Sequence, residues 1–193
     1  DLLLKEDMIT ELAESGLEEV WIGAESASQK ILDAMEKGTK VEQIYEATRL
    51  LKKKNIRVAF FLQFGYLNEN PDDIQKTIEM VKDLKPDNIG ISVSYPLPGT
   101  KFYDKVKDEL QAKSNWKDSD DLEMLFNGTF KTEYYRKLQR FVHKEYRKNQ
   151  GVSNLVKMAR NPLEFSFDNI ISVMKLGYYI PSTFVDHFKI KKL

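Results

Sequence analysis

Hydrophobic residues in the first half of the chain fall into three short runs that alternate with helical patterns. The runs at 19–25, 57–64 and 88–94 are mostly apolar and have the length of strands. Between them, apolar residues recur at helical spacing over 41–54 and 71–84. Buried strands alternating with amphipathic helices are typical of a parallel sheet covered by helices. The pattern therefore predicts an α/β fold with three neighbouring parallel strands.

Turn and capping signals predict where the helices begin and end. A helix over 5–15 is expected to stop at Gly16, and Thr39–Glu42 (TKVE) reads as a capping box that opens the helix ending near Lys54. Asn70 followed by Pro71 is a strong helix start. The turn YPLPGT at 95–100 leads into a further predicted helix over 101–112.

The character of the chain changes after about residue 112. Residues 113–131 are polar and rich in turn signals, and 132–149 has the pattern of a helix that ends at Gly151. A further helical stretch is predicted from Asn161 to Gly177. We therefore expect two domains, an α/β part at 1–112 and an α-helical extension at 113–193.

Composition narrows the classes of function. The 193 residues contain 30 Lys plus Arg and 30 Asp plus Glu, so the net charge of zero gives no argument for a nucleic-acid partner. No apolar run approaches the roughly 18 residues that a membrane span requires. Cysteine is absent, which excludes a disulfide framework. The expected location is the cytoplasm.

Alternation of side chains along the three strands predicts two different faces. One set of alternate positions is entirely apolar, as expected beneath covering helices. The other set begins bulky and becomes small and polar towards the end of each strand: Trp21, Gly23, Glu25; Phe61, Gln63, Gly65; Gly90, Ser92, Ser94. Glycine lets a ligand approach the backbone, and α/β sheets bind ligands at the carboxyl ends of their strands. The pattern predicts a ligand site there.

A structural interpretation of the same residues stands beside this one. Glu25 can be a structural acid that pairs with Arg57 or with a lysine on a neighbouring element. Gln63 and the two serines can satisfy loop backbone. Each residue taken singly fits this interpretation, whereas the shared trend in three strands favours the ligand site.

Three phrases, GAES at 23–26, FFLQFGYLNENPDD at 60–73 and YPLPGTKFYD at 95–104, resemble the second half of the radical SAM core domain. The closer likeness is to the cobalamin-dependent, oxidative-cyclase-like branch. Leu67 stands where that family has Pro, and Asn68 where it has Gly. The resemblance covers about residues 1–112 and, more loosely, the helical extension. It implies a fragment of a partial (β/α) TIM-type barrel followed by α-helices.

The resemblance also implies roles for the residues at the strand ends. Glu25, helped by Ser26, would accept hydrogen bonds from the ribose or the methionyl ammonium of S-adenosylmethionine. Phe64, Gly65 and Tyr66 would lie against the adenine. The other residues expected to line the cleft are Gln63, Ser92 and Ser94.

The largest departure from the family is the missing cluster motif. The family binds a [4Fe–4S] cluster through a CxxxCxxC loop, and this chain has no cysteine. We therefore expect a fragment, with the cluster and any cobalamin module in the upstream half of the same polypeptide. The parent protein would be the enzyme. For this chain alone we predict no activity, no catalytic residue, no metal ligand and no tightly bound cofactor.

Two interpretations of function remain open. One is a piece of a radical SAM enzyme that acts on a small-molecule substrate by radical or methyl-transfer chemistry. The other is a non-catalytic α/β binding or scaffold domain. A Rossmann domain is less favoured because no GxGxxG motif is present. The edge of the first strand, without its upstream neighbour, would expose unpaired backbone groups and favour self-association.

Overall fold

The computed structural model describes residues 5–110, 122–161 and 166–190. The chain forms two compact units, Asp1–Tyr135 and Arg136–Leu193. The domain boundary predicted after residue 112 lies outside the described residues and stays a prediction.

The first unit is built on a three-stranded parallel sheet. Its strands are β1 (Glu19–Glu25), β2 (Arg57–Phe64) and β3 (Asn88–Val93), in the order β1-β2-β3. Both pairings are parallel, and Phe60 at the centre of β2 faces Ile22 on one side and Ile89 on the other. The predicted strands and their parallel order are confirmed.

The core of this unit lies around β2. Five side chains of this strand are at most 1% exposed: Val58, Ala59, Phe60, Leu62 and Phe64. Helices α3 (Val41–Lys53) and α4 (Pro71–Leu84) add buried side chains such as Ile44 and Met80. Each large apolar side chain buried in this way contributes about 1.5–3 kcal/mol. The alternating apolar set predicted from the sequence is the buried face.

A β-bulge ends β1. The register shifts between Gly23 and Glu25, so Glu25 lies opposite Leu62. Glu25 has a φ of 52°, and the amide of Ser26 donates to the carbonyl of Ala24 at 2.6 Å. A non-glycine residue with this φ is strained by about 1–3 kcal/mol. The bulge therefore turns the chain sharply where the strand ends.

The part of the first unit that the structure describes also contains the helices α1 (Glu6–Glu14), α2 (Gln29–Ala34) and α5 (Lys101–Val106), the last followed by a 3-10 turn at Lys107–Glu109. The predicted α-helix over 101–112 is wrong beyond Val106, and its last two residues lie outside the described part. The capping box at Thr39 is also wrong. Helix α3 begins after Lys40, whose amide donates to Gln43 Oε1 at 2.8 Å, while Gln29 Oε1 accepts from the Val41 amide at 3.0 Å.

The remaining helices are α6 (Thr132–Arg160), α7 (Phe167–Met174) and α8 (Leu176–Ile190). The predicted stop at Gly151 is wrong because α6 continues through it. A side chain at Gly151 would lie 2.7 Å from Leu176 Cδ2 and 2.8 Å from the Ser172 carbonyl, so the glycine permits close helix packing. Ser166 caps the start of helix α7, since its Oγ accepts from the Asn169 amide. None of the described helices is long and apolar enough to cross a membrane.

The capping of α4 generates a prediction about stability. Asp73 N donates to Asn70 Oδ1 at 3.0 Å, and Asn70 N donates to Asp73 Oδ2 at 3.1 Å. We expect Asn70→Ala to lower the free energy of unfolding by about 1 kcal/mol, because the first turn loses its cap. Urea unfolding of the variant checks this. Lys76→Ala, an exposed position on the same helix, serves as the control and should change little. Equal losses in both variants would contradict the capping role.

Candidate functional site

A cavity of about 320 Å³ opens at the carboxyl ends of β1 and β2. We call it the strand-end cavity. Its lining combines apolar and aromatic side chains with five charged ones, and Glu25, Gln63 and Tyr66 from the predicted set all contribute. The structure therefore brings these three residues together. The charged lining residues are Glu25, Glu36, Lys37, Lys101 and Lys105.

Glu25 is held in the cavity wall by an ion pair. Its Oε1 accepts from Lys37 Nζ at 2.8 Å, and its side chain is only 15% exposed. A side chain at Gly23 would come within 3.0 Å of Glu25 Oε1 and 3.2 Å of Lys37 Nζ, so this glycine makes room for the pair. Glu25 Oε2 has no hydrogen-bond partner among the described residues. One carboxylate oxygen thus remains available to a donor in the cavity.

A second ion pair joins Glu36 and Lys101 across the cavity lining. The hydrogen bond and the charge of Lys101 lower the pKa of Glu36, and Glu36 in turn raises the pKa of Lys101. Thr100 Oγ1 accepts from the Tyr103 amide at 3.2 Å and so caps α5, the helix that carries Lys101. Sequence reasoning missed Lys37 and Lys101, the lysines of the two ion pairs, because charged residues beside turns usually face solvent.

Tyr66 forms an aromatic wall of the cavity. Its ring stacks on Phe102 with centroids 4.7 Å apart, and its hydroxyl donates to the Ala34 carbonyl at 2.9 Å. Burial, followed by the negative charge of Glu36, raises the pKa of Tyr66. The loop after β2 is thereby fixed to α2 and to α5.

The glycines of the polar face make room for this chain's own side chains. A side chain at Gly65, whose φ is 79°, would lie 3.0 Å from Met124 Sδ and 3.2 Å from Tyr135 Cζ. At Gly90 it would meet Phe61 at 3.3 Å and Trp21 at 3.4 Å. Neighbouring side chains of this chain fill the space beside these two glycines. The expectation that glycines here open the backbone to a ligand stays a prediction.

The other predicted residues do not line the strand-end cavity. Ser26 is fully buried, with its Oγ 3.2 Å from Thr77 Oγ1 on α4, because the bulge turns it under the helix. Phe64 is 1% exposed and belongs to the core. Ser94 is 1% exposed, whereas Ser92 is exposed. A role for these residues in binding a cofactor stays a prediction.

Glu69 is a buried carboxyl group that sequence reasoning passed over. It is 0% exposed, and its Oε2 accepts from the Gly65 amide at 2.6 Å, while Oε1 has no partner among the described residues. Burial raises its pKa from 4.5 to about 7, and the charge of Asp73 adds to this. Its only sequence signal is its place in the turn between β2 and the cap of α4.

Family comparison shows what the first part of the chain is similar to. Residues 1–81, which include β1, β2 and most of α4, match the family model of the radical SAM superfamily. This part of the chain is thus similar to the radical SAM superfamily. The resemblance read from the three sequence phrases is confirmed.

Two curated proteins illustrate what relatives of this chain do. The chain is 29% identical over 111 residues to the anaerobic magnesium-protoporphyrin IX monomethyl ester cyclase of Rubrivivax gelatinosus. This match covers 58% of the chain and 20% of the cyclase. The chain is 29% identical over 169 residues to bacteriochlorophyllide d C-12(1)-methyltransferase of Chlorobaculum tepidum, covering 84% and 36%. The chain thus spans 20% and 36% of the lengths of these relatives, which carry out cyclisation and methylation.

A solved radical SAM structure shares the fold. The methyltransferase TsrM from Kitasatospora setae, with cobalamin and a [4Fe–4S] cluster bound, aligns with a TM-score of 0.51 at 18% identity over 69% of this chain and 28% of TsrM. The predicted fold is confirmed: part of a TIM-type barrel with parallel strands, followed by α-helices.

The residues of this chain do not fit a [4Fe–4S] cluster. Such clusters are held by cysteine thiolates, and the sequence has no cysteine. Within 5–110, 122–161 and 166–190, no group of three or more His, Asp or Glu side chains is arranged to hold a metal ion.

The buried carboxyl of Glu69 generates a prediction about pH. An acid whose pKa is raised in the folded state binds its proton more tightly there than in the unfolded chain. Its contribution to stability is therefore full below pH 4.5 and is lost as the pH rises to about 7, by roughly 3 kcal/mol. We expect Glu69→Gln to remove this loss, so that the variant gains stability over wild type as the pH rises.

Urea unfolding on both sides of this pH window measures the difference between wild type and variant. Glu79→Gln, which changes an exposed carboxyl on α4, is the control and should follow the wild-type curve. A constant difference between wild type and Glu69→Gln across the window would show that Glu69 does not titrate there.

Proposed function

We propose that the strand-end cavity contributes to the S-adenosylmethionine site of a radical SAM enzyme. The observation that carries this proposal is Glu25, which a strained bulge at the end of β1 holds in the cavity wall. One of its carboxylate oxygens has no partner within the residues that the structure describes. Backbone strain of this kind clusters at functional sites. A cavity of about 320 Å³ falls within the range of small-molecule sites.

The lining suggests how the ligand would be held. Glu25 Oε2 would accept a hydrogen bond from a ribose hydroxyl or the methionyl ammonium while Oε1 keeps its bond to Lys37. Gln63, whose side-chain amide has no partner among the described residues, would supply a further polar contact. The stacked rings of Tyr66 and Phe102 would offer an apolar surface to the adenine.

The remaining predicted residues would support the strand-end cavity from outside its lining. Ser26 fixes the turn after β1 through Thr77, and Phe64 and Gly65 shape the end of β2. Ser94 ties β3 to β2, since its amide donates to the Phe64 carbonyl at 2.7 Å. We propose that these residues, with the exposed Ser92, support the site rather than form its wall.

The chemistry itself is assigned to the whole protein. Radical or methyl-transfer chemistry on a small-molecule substrate is what a [4Fe–4S] cluster and, in a branch such as that of TsrM, cobalamin support. Both groups would be held by other parts of the same polypeptide, which would also cover the free edge of β1. In their absence, that edge would promote self-association of this chain.

The ion pairs of the strand-end cavity favour a second function, that of a non-catalytic binding or scaffold domain. Glu25 pairs with Lys37 and Glu36 pairs with Lys101, so four of the five charged lining residues are already satisfied within the chain. A non-catalytic binding or scaffold domain would have the same feature. Titration with ligand separates the two functions.

The first experiment titrates S-adenosylmethionine into the isotopically labelled chain and follows amide resonances. We expect weak, saturable shifts at Gly23, Glu25, Gln63 and Tyr66. Glu25→Gln should weaken binding by about tenfold, the effect of losing a hydrogen bond to a charged group. Glu79→Gln removes a carboxyl outside the cavity and should bind as wild type does. Shifts that do not saturate, or that lie elsewhere, would favour the scaffold function.

The second experiment tests whether this chain assembles a cluster. After anaerobic reconstitution with iron and sulfide, we expect no stoichiometric iron or sulfide on the purified protein, because no thiolate is available. Chemical analysis of both elements measures the outcome, and a cysteine-bearing radical SAM protein treated in parallel is the positive control. Stoichiometric cluster on this chain would contradict the assignment of the cluster to other parts of the polypeptide.

A further inference from the structure

A second cavity, of about 270 Å³, lies entirely within the helical unit. We call it the helix cavity. It is lined by Arg147 and Gln150 of α6, Ile171 and Ser172 of α7, Lys175 between α7 and α8, and Tyr179 of α8. Five of these six side chains can donate hydrogen bonds. The helix cavity is thus a concave site with an unusually donor-rich wall.

The charges of this wall have one sign. Arg147 and Lys175 are cations, and none of the described lining residues is an acid. Neither cation forms an ion pair with a described carboxylate. The neighbouring acids form ion pairs with other lysines: Asp186 accepts from Lys144 at 2.7 Å, and Glu145 accepts from Lys148 at 2.5 Å. Two positive charges therefore face one cavity without a counter-charge from the lining.

Local contacts hold the donors in place. Arg147 Nη1 donates to Gln150 Oε1 at 3.3 Å, and its guanidinium lies 5.4 Å from the centre of the Tyr146 ring. Ser172 Oγ accepts from Asn154 Nδ2 at 3.0 Å, which leaves its hydroxyl hydrogen free to donate. The C-terminus of α7 favours a cation at Lys175, but it does not account for the second cation, Arg147, in the same lining. The lining of the helix cavity thus favours an anionic ligand.

We propose that the helix cavity binds a phosphate group through Arg147 and Lys175. A phosphate monoester carries about −1.5 to −2 charges at neutral pH, which matches the two cations, whereas one carboxylate would leave a positive charge unbalanced. The guanidinium can bind two phosphate oxygens at once, and the ammonium and the Ser172 hydroxyl can reach a third. The volume suits one phosphate with a short attachment.

The phosphate can belong to a soluble monoester or to a lipid headgroup. Met174 and Tyr178, next in the chain to Lys175 and Tyr179, are 75% and 59% exposed. These apolar side chains would suit an acyl chain that leaves the cavity. The experiment therefore needs one arm for each source.

In the first arm, glycerol 3-phosphate and inorganic phosphate are titrated into the labelled chain at constant ionic strength. We expect saturable shifts of the amides of Gln150, Ser172 and Tyr179. Arg147→Gln and Lys175→Gln should each weaken binding by about tenfold, and either variant suffices if the other fails to fold. The controls Arg140→Gln and Lys157→Gln each remove one exposed cation of α6 outside the cavity and should bind as wild type does.

In the second arm, the chain is sedimented with vesicles of phosphatidic acid in phosphatidylcholine, against vesicles of phosphatidylcholine alone. Binding to phosphatidic acid that Lys175→Gln abolishes and glycerol 3-phosphate competes away would support the site and assign it to a lipid headgroup. Saturable binding of glycerol 3-phosphate without vesicle binding would support it and assign it to a soluble monoester. The proposal would be overturned if none of these probes bound saturably. It would also be overturned if the control variants lost as much affinity as Arg147→Gln and Lys175→Gln.

Discussion

The first unit depends on the pairing of β2 with a parallel strand on each side. Phe60 sits opposite both Ile22 and Ile89, and this register brings the carboxyl ends of β1 and β2 together at the strand-end cavity. The side chains of β2 that face the helices are almost fully buried, so a slip by one residue would expose them and bury polar ones. Hydrophobic burial thereby fixes which side chains reach the cavity.

The bulge at the end of β1 decides which of its last side chains lines the strand-end cavity. Without it, Ser26 and Glu25 would continue the alternation of the strand. With it, Ser26 enters the core beneath α4, and Glu25 stays in the cavity wall beside Lys37. The strain of a positive φ at Glu25 is offset by the buried contacts that follow it. The same geometry would suit the proposed S-adenosylmethionine site and a structural ion pair alike, which is why ligand titration is needed to separate the two functions.

The two cavities differ in how their charges are balanced. In the strand-end cavity, two glutamates neutralise two of the three lysines, as suits a ligand that carries charges of both signs. In the helix cavity, an arginine and a lysine face an interior without a lining carboxylate, as suits an anion. The lining charges therefore favour ligands of different chemistry in the two cavities.

The sequence alone determined the strands and their parallel order, because apolar runs and helical spacing report directly on which faces are buried. Its three phrases also indicated the resemblance to the radical SAM superfamily that the family model matches over residues 1–81. The sequence also indicated Glu25, Gln63 and Tyr66 as neighbours. It did not predict the bulge that removes Ser26 from the cavity, the side chains that fill the space at Gly65, or the passage of α6 through Gly151. Only the tertiary structure decided these, because each depends on contacts between residues distant in sequence: Ser26 with Thr77, Gly65 with Tyr135 and Gly151 with Leu176. A local pattern specifies which residues prefer burial, whereas the partner that fills each space is set by packing.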